Sequence, residues 1–326
     1  MWNKALVSAK NNNLRRTTAM KADKVKKQGK KGDGIYIFII VILVIFNILL
    51  IKHIQSDKLA GLKEYLTEYY YSQENLDGAM RKKLGDIYDE GSYGNFENYV
   101  YKLVLDDINQ YEPERLAKYN RIFSKAESER VENLFAEAGE TTVTAEDGIC
   151  CIKLSDFTLK ETCSSLMQYS DLLKSSDKFI IDLRDNSGGS IDELSKVLSL
   201  FYNKGEVVMT EVSDRQTIEH KSKTDKTIGF DKLVFLCNEN TASSAEAMIF
   251  CMQSDFGDKV SVVGTKTYGK NFTYAFKKFN DGHDFIFVSS LMCSGEKETF
   301  SENGISPDYE KSDDESFDFA LELLNK

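Results

Sequence analysis

The side chains here whose types and placement could do covalent chemistry are a serine opening a helix and a lysine closing a glycine turn further along the chain. Ser243 stands in Asn240-Thr241-Ala242-Ser243-Ser244-Ala245-Glu246, after the apolar strand Lys232-Leu233-Val234-Phe235-Leu236-Cys237 and before a helix running through Ile249, Phe250 and Met252. At a helix N-terminus the first backbone N–H groups lack intrahelical partners and the dipole is positive, so a developing oxyanion can be held there. Such a serine still needs a base. The chain has three histidines, His53, His220 and His283, none with an acidic partner in a motif, whereas Lys270 ends the turn Gly264-Thr265-Lys266-Thr267-Tyr268-Gly269-Lys270 between two predicted strands. A Ser/Lys pair is therefore the economical reading. Ser243 with Glu246 also fits a purely structural capping box, and Gly269-Lys270 a solvated turn. A third reading would use His283 as base, but Asp281-Gly282-His283 reads better as part of a hairpin turn.

A third constellation, Asp182-Leu183-Arg184-Asp185-Asn186-Ser187-Gly188-Gly189, ends a buried strand ahead of a helix. Adjacent glycines let backbone N–H groups approach a ligand closely, as an oxyanion hole requires, although an ordinary strand-to-helix turn would look the same. It is not a phosphate loop, because glycine spacing and a following Lys-Ser/Thr are both wrong. For Lys270 to act as a base its pKa must fall from about 10.4 to near neutrality, at a cost of about 4 kcal/mol. Tyr268, Phe272 and Tyr274 are the nearest side chains that could supply the dry surroundings. Nothing in this chemistry needs a metal or organic cofactor.

The elements that must position these groups alternate. Strands are expected over residues 148–154, 178–184, 207–212, 233–237 and 260–263, and helices over 159–173, 191–201 and from Ser243. Asn280-Asp281-Gly282 between 272–279 and 285–290 signals a hairpin, and a short helix over 317–324 closes the chain. This order implies an α/β fold with a parallel or mixed sheet, a core over 141–312 and a C-terminal segment over 313–326. Residues 53–140 read as a helical stalk or cap, with a helix over 114–135 after Pro113. Most of the six cysteines fit small buried hydrophobes, and none shows metal-site spacing.

Residues 35–51 hold one strongly polar residue, Asn47, and no charge, a length of about the minimum for spanning a bilayer as a helix. Residues 1–34 carry ten Lys or Arg against two Asp, so of the formal net charge of −10 the tail holds +8 and the rest −18. The expectation is a basic cytoplasmic tail, a single transmembrane helix over 35–52 and an extracytoplasmic remainder. The acidic bulk argues against nucleic acid as a partner. A homo-oligomer is left open.

Together the motifs resemble a family. Residues 182–189 resemble its DLRxNxGG signature, Thr241-Ala242-Ser243-Ser244-Ala245-Glu246 its SASASE turn and residues 264–270 its GxxTxGKG turn; Asp281-Gly282 and Gly304-Ile305-Ser306-Pro307-Asp308 also match. The family is the carboxy-terminal processing, or tail-specific, serine peptidases, and the likeness spans about residues 148–308. It implies Ser243 as nucleophile, Lys270 as general base, and an oxyanion hole from the backbone N–H of Ser244 with that of Gly188 or Gly189. It also implies a ClpP/crotonase-like core of ββα units acting on protein or peptide substrates. Tyr274 stands where many members have a lysine-orienting glutamine, and Asn271 replaces a glycine. These departures motivate the alternative of an inactive relative that binds extended peptides. Nothing between residues 51 and 148 resembles the PDZ domain many members carry.

Overall fold

The structure, a computed structural model, describes residues 119–123, 127, 129, 140–157, 161–278 and 284–326. The basic tail, the segment over 35–52, most of the helical stalk and Asp281-Gly282-His283 lie outside the described residues. None of the described helices is long and apolar enough to cross a membrane.

Along the chain the described elements are strands β1 (Arg121–Phe123), β2 (Thr141–Glu146) and β3 (Ile149–Leu154), helices α1 (Thr162–Met167) and α2 (Ser170–Ser175), strand β4 (Lys178–Asp182) and helix α3 (Ile191–Ser199). There follow β5 (Val207–Val212), β6 (Thr217–Lys221), β7 (Lys232–Cys237), α4 (Ser244–Phe256), β8 (Val260–Gly264), β9 (Phe272–Lys278), β10 (Asp284–Cys293), β11 (Tyr309–Glu310) and α5 (Asp313–Leu324). The architecture is mixed α/β, in two sheets.

One sheet has the order β11-β8-β7-β4-β3-β2, parallel except for the β2–β3 hairpin. Its central strands read as continuous apolar runs because both faces are covered. Phe179, Ile181, Leu233 and Phe235 pack toward the main core with Leu194, Met248, Ile249 and Met252, while Ile180, Val234 and Leu236 face Ala320 and Leu324 of α5. The second sheet is antiparallel around β10, which pairs with β9 on one side and with β1 and β5 on the other, β6 lying outside β5.

Two expectations are corrected, and two strands went unread. Residues 121–123, read as helix, form β1 against Ile286, Phe285 and Asp284, so the core recruits residues well before 141. Apolar spacing did not reveal this, since three residues settle into a strand only because β10 offers an edge. The helix expected over 159–173 is two shorter ones, interrupted at Gln168 and Tyr169. The exposed strand β6 and two-residue β11 carry too little apolar signal to be read. All six cysteines are free; Cys150, Cys237, Cys251 and Cys293 are buried, and burial raises the thiols of Cys150 to about 11 and Cys237 to about 12.

Gly264, last residue of β8, decides how the chain leaves the sheet toward Lys270. Its φ is 136°, and a Cβ there would stand 1.9 Å from the Cys237 carbonyl oxygen of the neighbouring strand. Gly264→Ala is expected to destabilise the fold by about 2 kcal/mol or more, read as a lowered unfolding midpoint in denaturant.

Candidate active site

Ser243 lies between the end of β7 and α4, where the backbone takes φ 57° and ψ −120°. This is an uncommon conformation for a side-chain-bearing residue and must be held by its surroundings. Three contacts hold it. The Ala242 N–H donates to the Asn186 carbonyl at 2.9 Å, Thr241 Oγ1 donates to the Leu183 carbonyl at 2.8 Å, and the Ser243 N–H donates to Glu246 Oε2 at 2.9 Å. Ser243 itself is 7% exposed.

The glycine turn lies against it. A Cβ on Gly188 would meet Ser243 Cβ at 2.7 Å and Ser244 N at 2.9 Å, so only a glycine lets the two turns approach this closely. Asn186, fully buried, shapes the turn by donating from Nδ2 to the Leu154 carbonyl and accepting the Gly188 N–H at 2.9 Å. The Gly188 N–H is thereby occupied in this structure, whereas the sequence left Gly188 and Gly189 as alternatives. Among the described residues the N–H groups of Gly189 and Ser244 have no acceptor.

The charged residues of the same signature are engaged in structure. Arg184 binds Asp182 through Nε (2.8 Å) and Nη2 (2.6 Å), and its Nη1 donates to the Asp313 carbonyl at the start of α5. Asp185 accepts from Asn238 Nδ2 and Asn240 Nδ2.

The lysine turn is joined to the serine turn by one carboxylate. Glu246, with no solvent exposure, accepts at Oε2 from the N–H groups of Ser243 (2.9 Å) and Lys270 (2.8 Å), and at Oε1 from the Gly269 N–H (2.7 Å) and Thr267 Oγ1 (2.6 Å). The same Thr267 hydroxyl accepts the Ile305 N–H at 2.7 Å, tying in the loop that carries Pro307 and Asp308. Asp308 fixes that loop to β8 by accepting the Val262 N–H at 2.8 Å. Glu246 was legible in sequence as a capping residue. Its second, larger role was not, because the partners from the lysine turn are distant in sequence.

Lys270 Nζ makes no hydrogen bond or ion pair among the described residues; it lies 4.2 Å from the ring centroid of Tyr274 and 5.9 Å from that of Phe272. Burial lowers its pKa from 10.5 to about 8, against the opposing pull of Glu246. The charged amine therefore opposes folding below about pH 8, and that cost is relieved as pH rises toward 10.5. Of the three expected wall residues, Phe272 and Tyr274 face the amine; Tyr268 is 53% exposed and shares a hydrogen bond with the Tyr119 hydroxyl. Tyr274 meets the lysine with its ring face, a contact unlike that of an amide side chain. Of the histidines, His220 pairs with Glu211 at 2.8 Å. His53 and His283 lie outside the described residues.

The sequence profile of Peptidase family S41 matches residues 148–311. A probable CtpA-like serine protease of Staphylococcus epidermidis is 30% identical over 131 residues, covering 40% of this chain and 26% of that protein. The match thus spans about a quarter of that relative's length. The structure of a lipoprotein from Streptococcus agalactiae aligns with a TM-score of 0.58 at 18% identity, over 82% of this chain and 94% of that one. Photosystem II D1 C-terminal processing protease aligns with a TM-score of 0.51 at 13% identity, over 81% and 95%. At these identities the two structures share the fold.

Replacing Glu246 by Gln turns one carboxylate oxygen into an N–H₂ donor facing backbone donors. In either amide orientation at least one buried N–H is stranded, so Glu246→Gln is expected to lose about 1–3 kcal/mol or more of stability in denaturant unfolding. The opposing charge is also gone. The pKa of Lys270, followed by pH-dependent acetylation and mass spectrometry, is expected to fall below its wild-type value of about 8.

Proposed function

The chain belongs to peptidase family S41, and from that membership we propose that it is a serine endopeptidase hydrolysing protein or peptide substrates through Ser243 and Lys270. The observation that carries this reading is the shared carboxylate oxygen: Glu246 Oε2 holds the backbone N–H of both residues. Their main chains are thus fixed close together. Side-chain rotation can then bring Nζ from the rings of Tyr274 and Phe272 to Ser243 Oγ, a contact that commonly tightens only when substrate is bound.

In the proposed mechanism the neutral Lys270 amine takes the Ser243 Oγ proton as that oxygen bonds to the substrate carbonyl carbon. The carbonyl π electrons move to oxygen, and the N–H groups of Ser244 and Gly189 hold the resulting anion. Collapse breaks the C–N bond, and the Lys270 ammonium gives its proton to the leaving amine. A water, deprotonated by the same amine, then attacks the acyl carbon; collapse breaks the C–Oγ bond, the ammonium returns its proton to Ser243 Oγ, and a new carboxyl terminus leaves. Tyr274 serves as the surface on which the amine rests when not engaged. A ClpP/crotonase-like ordering of the ββα units belongs to the same reading.

The proposal extends to location. The uncharged stretch over 35–51, with a +8 segment before it, supports a single-pass anchor over 35–52 with the N-terminus cytoplasmic and the peptidase core outside. The acidic remainder supports protein or peptide substrates over nucleic acid.

A fluorophosphonate probe is expected to label the wild type and not Ser243→Ala, with Lys270→Ala labelling at least about a hundredfold more slowly. The wild-type rate should rise with pH through about 8, where half of the Lys270 amine becomes neutral. Labelling that survives Ser243→Ala, or a rate that is flat across that range, would overturn the assignment.

A further inference from the structure

We infer that Tyr119, which lies outside the stretch matched by the family profile, is a positioning residue for Lys270: it closes the aromatic wall that keeps water from the amine. The inference rests on the Ser/Lys reading and deepens it.

The geometry begins with β1. Its three residues pair antiparallel with Ile286, Phe285 and Asp284, and just before them Asn120, 3% exposed, accepts the Val288 N–H at Oδ1 over 2.9 Å. This side chain continues the ladder past the end of the strand and fixes where Tyr119 emerges. From there the Tyr119 ring lies across β10, its centroid 4.8 Å from that of Phe272 and 6.4 Å from that of Tyr274. Together with Leu291, the tyrosine rings pack against the buried pair Phe272 and Val288. The Tyr119 hydroxyl reaches the Tyr268 hydroxyl at 3.2 Å, and the Tyr268 N–H is itself bound to the Thr241 carbonyl in the serine turn.

Tyr119 therefore touches both rings that face Lys270 Nζ and the turn that carries the lysine. The titratable or charged groups facing the amine or the rings around it are Glu246 on α4, Tyr274 on β9, Tyr268 on the lysine turn, and Tyr119 and Arg121 on the β1 segment. Glu246 bears directly on the lysine and favours its charged form. Tyr119 is itself held neutral, its pKa raised by burial and by the Tyr268 hydroxyl. Its effect on the amine is thus steric exclusion of water, with no charge of its own.

The test measures Lys270 in the full-length chain by competitive acetylation against pH, read by mass spectrometry, beside the pH dependence of fluorophosphonate labelling. Tyr119→Ala is expected to raise the Lys270 pKa from about 8 toward 10.5. Labelling at pH 7 should slow about tenfold for each pH unit of that rise, while the limiting rate at high pH stays within about twofold. A merely structural loss would lower both limbs. Tyr119→Phe keeps the rings and should leave the lysine titration near that of the wild type. Asn120→Ala, which removes no ring but loosens the β1 segment that seats Tyr119, should move it in the direction of Tyr119→Ala and serves if that variant fails to fold. If wild-type Lys270 titrates near 10.5, the inference and the Ser/Lys reading both fall. If it titrates near 8 and neither Tyr119→Ala nor Asn120→Ala moves it, the inference alone falls. If the variants raise it in a protein that never labels, the inference stands and the peptidase reading falls.

Discussion

A carboxylate sealed from solvent, with donors from two separate turns converging on its two oxygens, is the interaction on which this site depends. Glu246 has no exposed surface, and each of its four bonds comes from Ser243 or from residues 267–270. Hydrogen bonds to a charged acceptor are the stronger kind, and leaving such an acceptor unpaired in the interior would be costly. The carboxylate and the two turns therefore stabilise one another. Three of the four donors are backbone N–H groups, so what the carboxylate fixes is main chain.

That solution creates a tension with the proposed chemistry. A base must be neutral to accept a proton, yet the buried negative charge favours the ammonium, and so does the ring face of Tyr274 at 4.2 Å, a contact worth about 0.5–2 kcal/mol to a cation. Loss of water is the force on the other side, and it prevails: the amine is brought to about 8 despite Glu246. Dryness is thus the controlled variable of the site. Phe272 and Tyr274 come from β9, immediately after the lysine turn, but they form half a wall until another element covers them. The small cluster around Phe272 and Val288 is completed by Tyr119, brought there by a strand far upstream in the sequence.

How much of this could be read from the residues follows from the range of the forces involved. The central strands were legible because a strand buried on both faces must be apolar throughout, as in Lys178–Asp182 and Lys232–Cys237. The serine turn, the lysine turn and the glycine pair were legible because strained backbone and close approach restrict residue type locally, as the 2.7 Å contact of a Cβ on Gly188 with Ser243 illustrates. What escaped were relations between distant segments. The capture of the Gly188 N–H by Asn186 Oδ1 is local, yet the same pair of residue types would also fit a turn that leaves that N–H free. The convergence of residues 267–270 on Glu246 and the capture of residues 121–123 by the edge of β10 depend on tertiary placement, which no periodicity records. At residues 121–123 the helix expected over 114–135 gives way to strand for that reason.

The backbone at Ser243 shows why the surrounding polar groups are so fully engaged. A serine at φ 57°, ψ −120° costs about 1–3 kcal/mol relative to relaxed geometry, and such strain persists only where neighbours over-determine it. Here the residue before it is bonded to Asn186, the one before that to Leu183 through Oγ1, and its own N–H to Glu246. Asn186 is in turn fixed by Leu154 on β3, and the Asp182–Arg184 pair anchors the same loop to α5. Each of these bonds satisfies a polar group that burial would otherwise penalise. Their combined effect is to leave the N–H groups of Ser244 and Gly189, among the described residues, without acceptors at the serine turn. In a shell where neighbouring polar groups are paired, two donors without a described partner are where the proposed reaction would receive its charge, between α4 and the glycine turn.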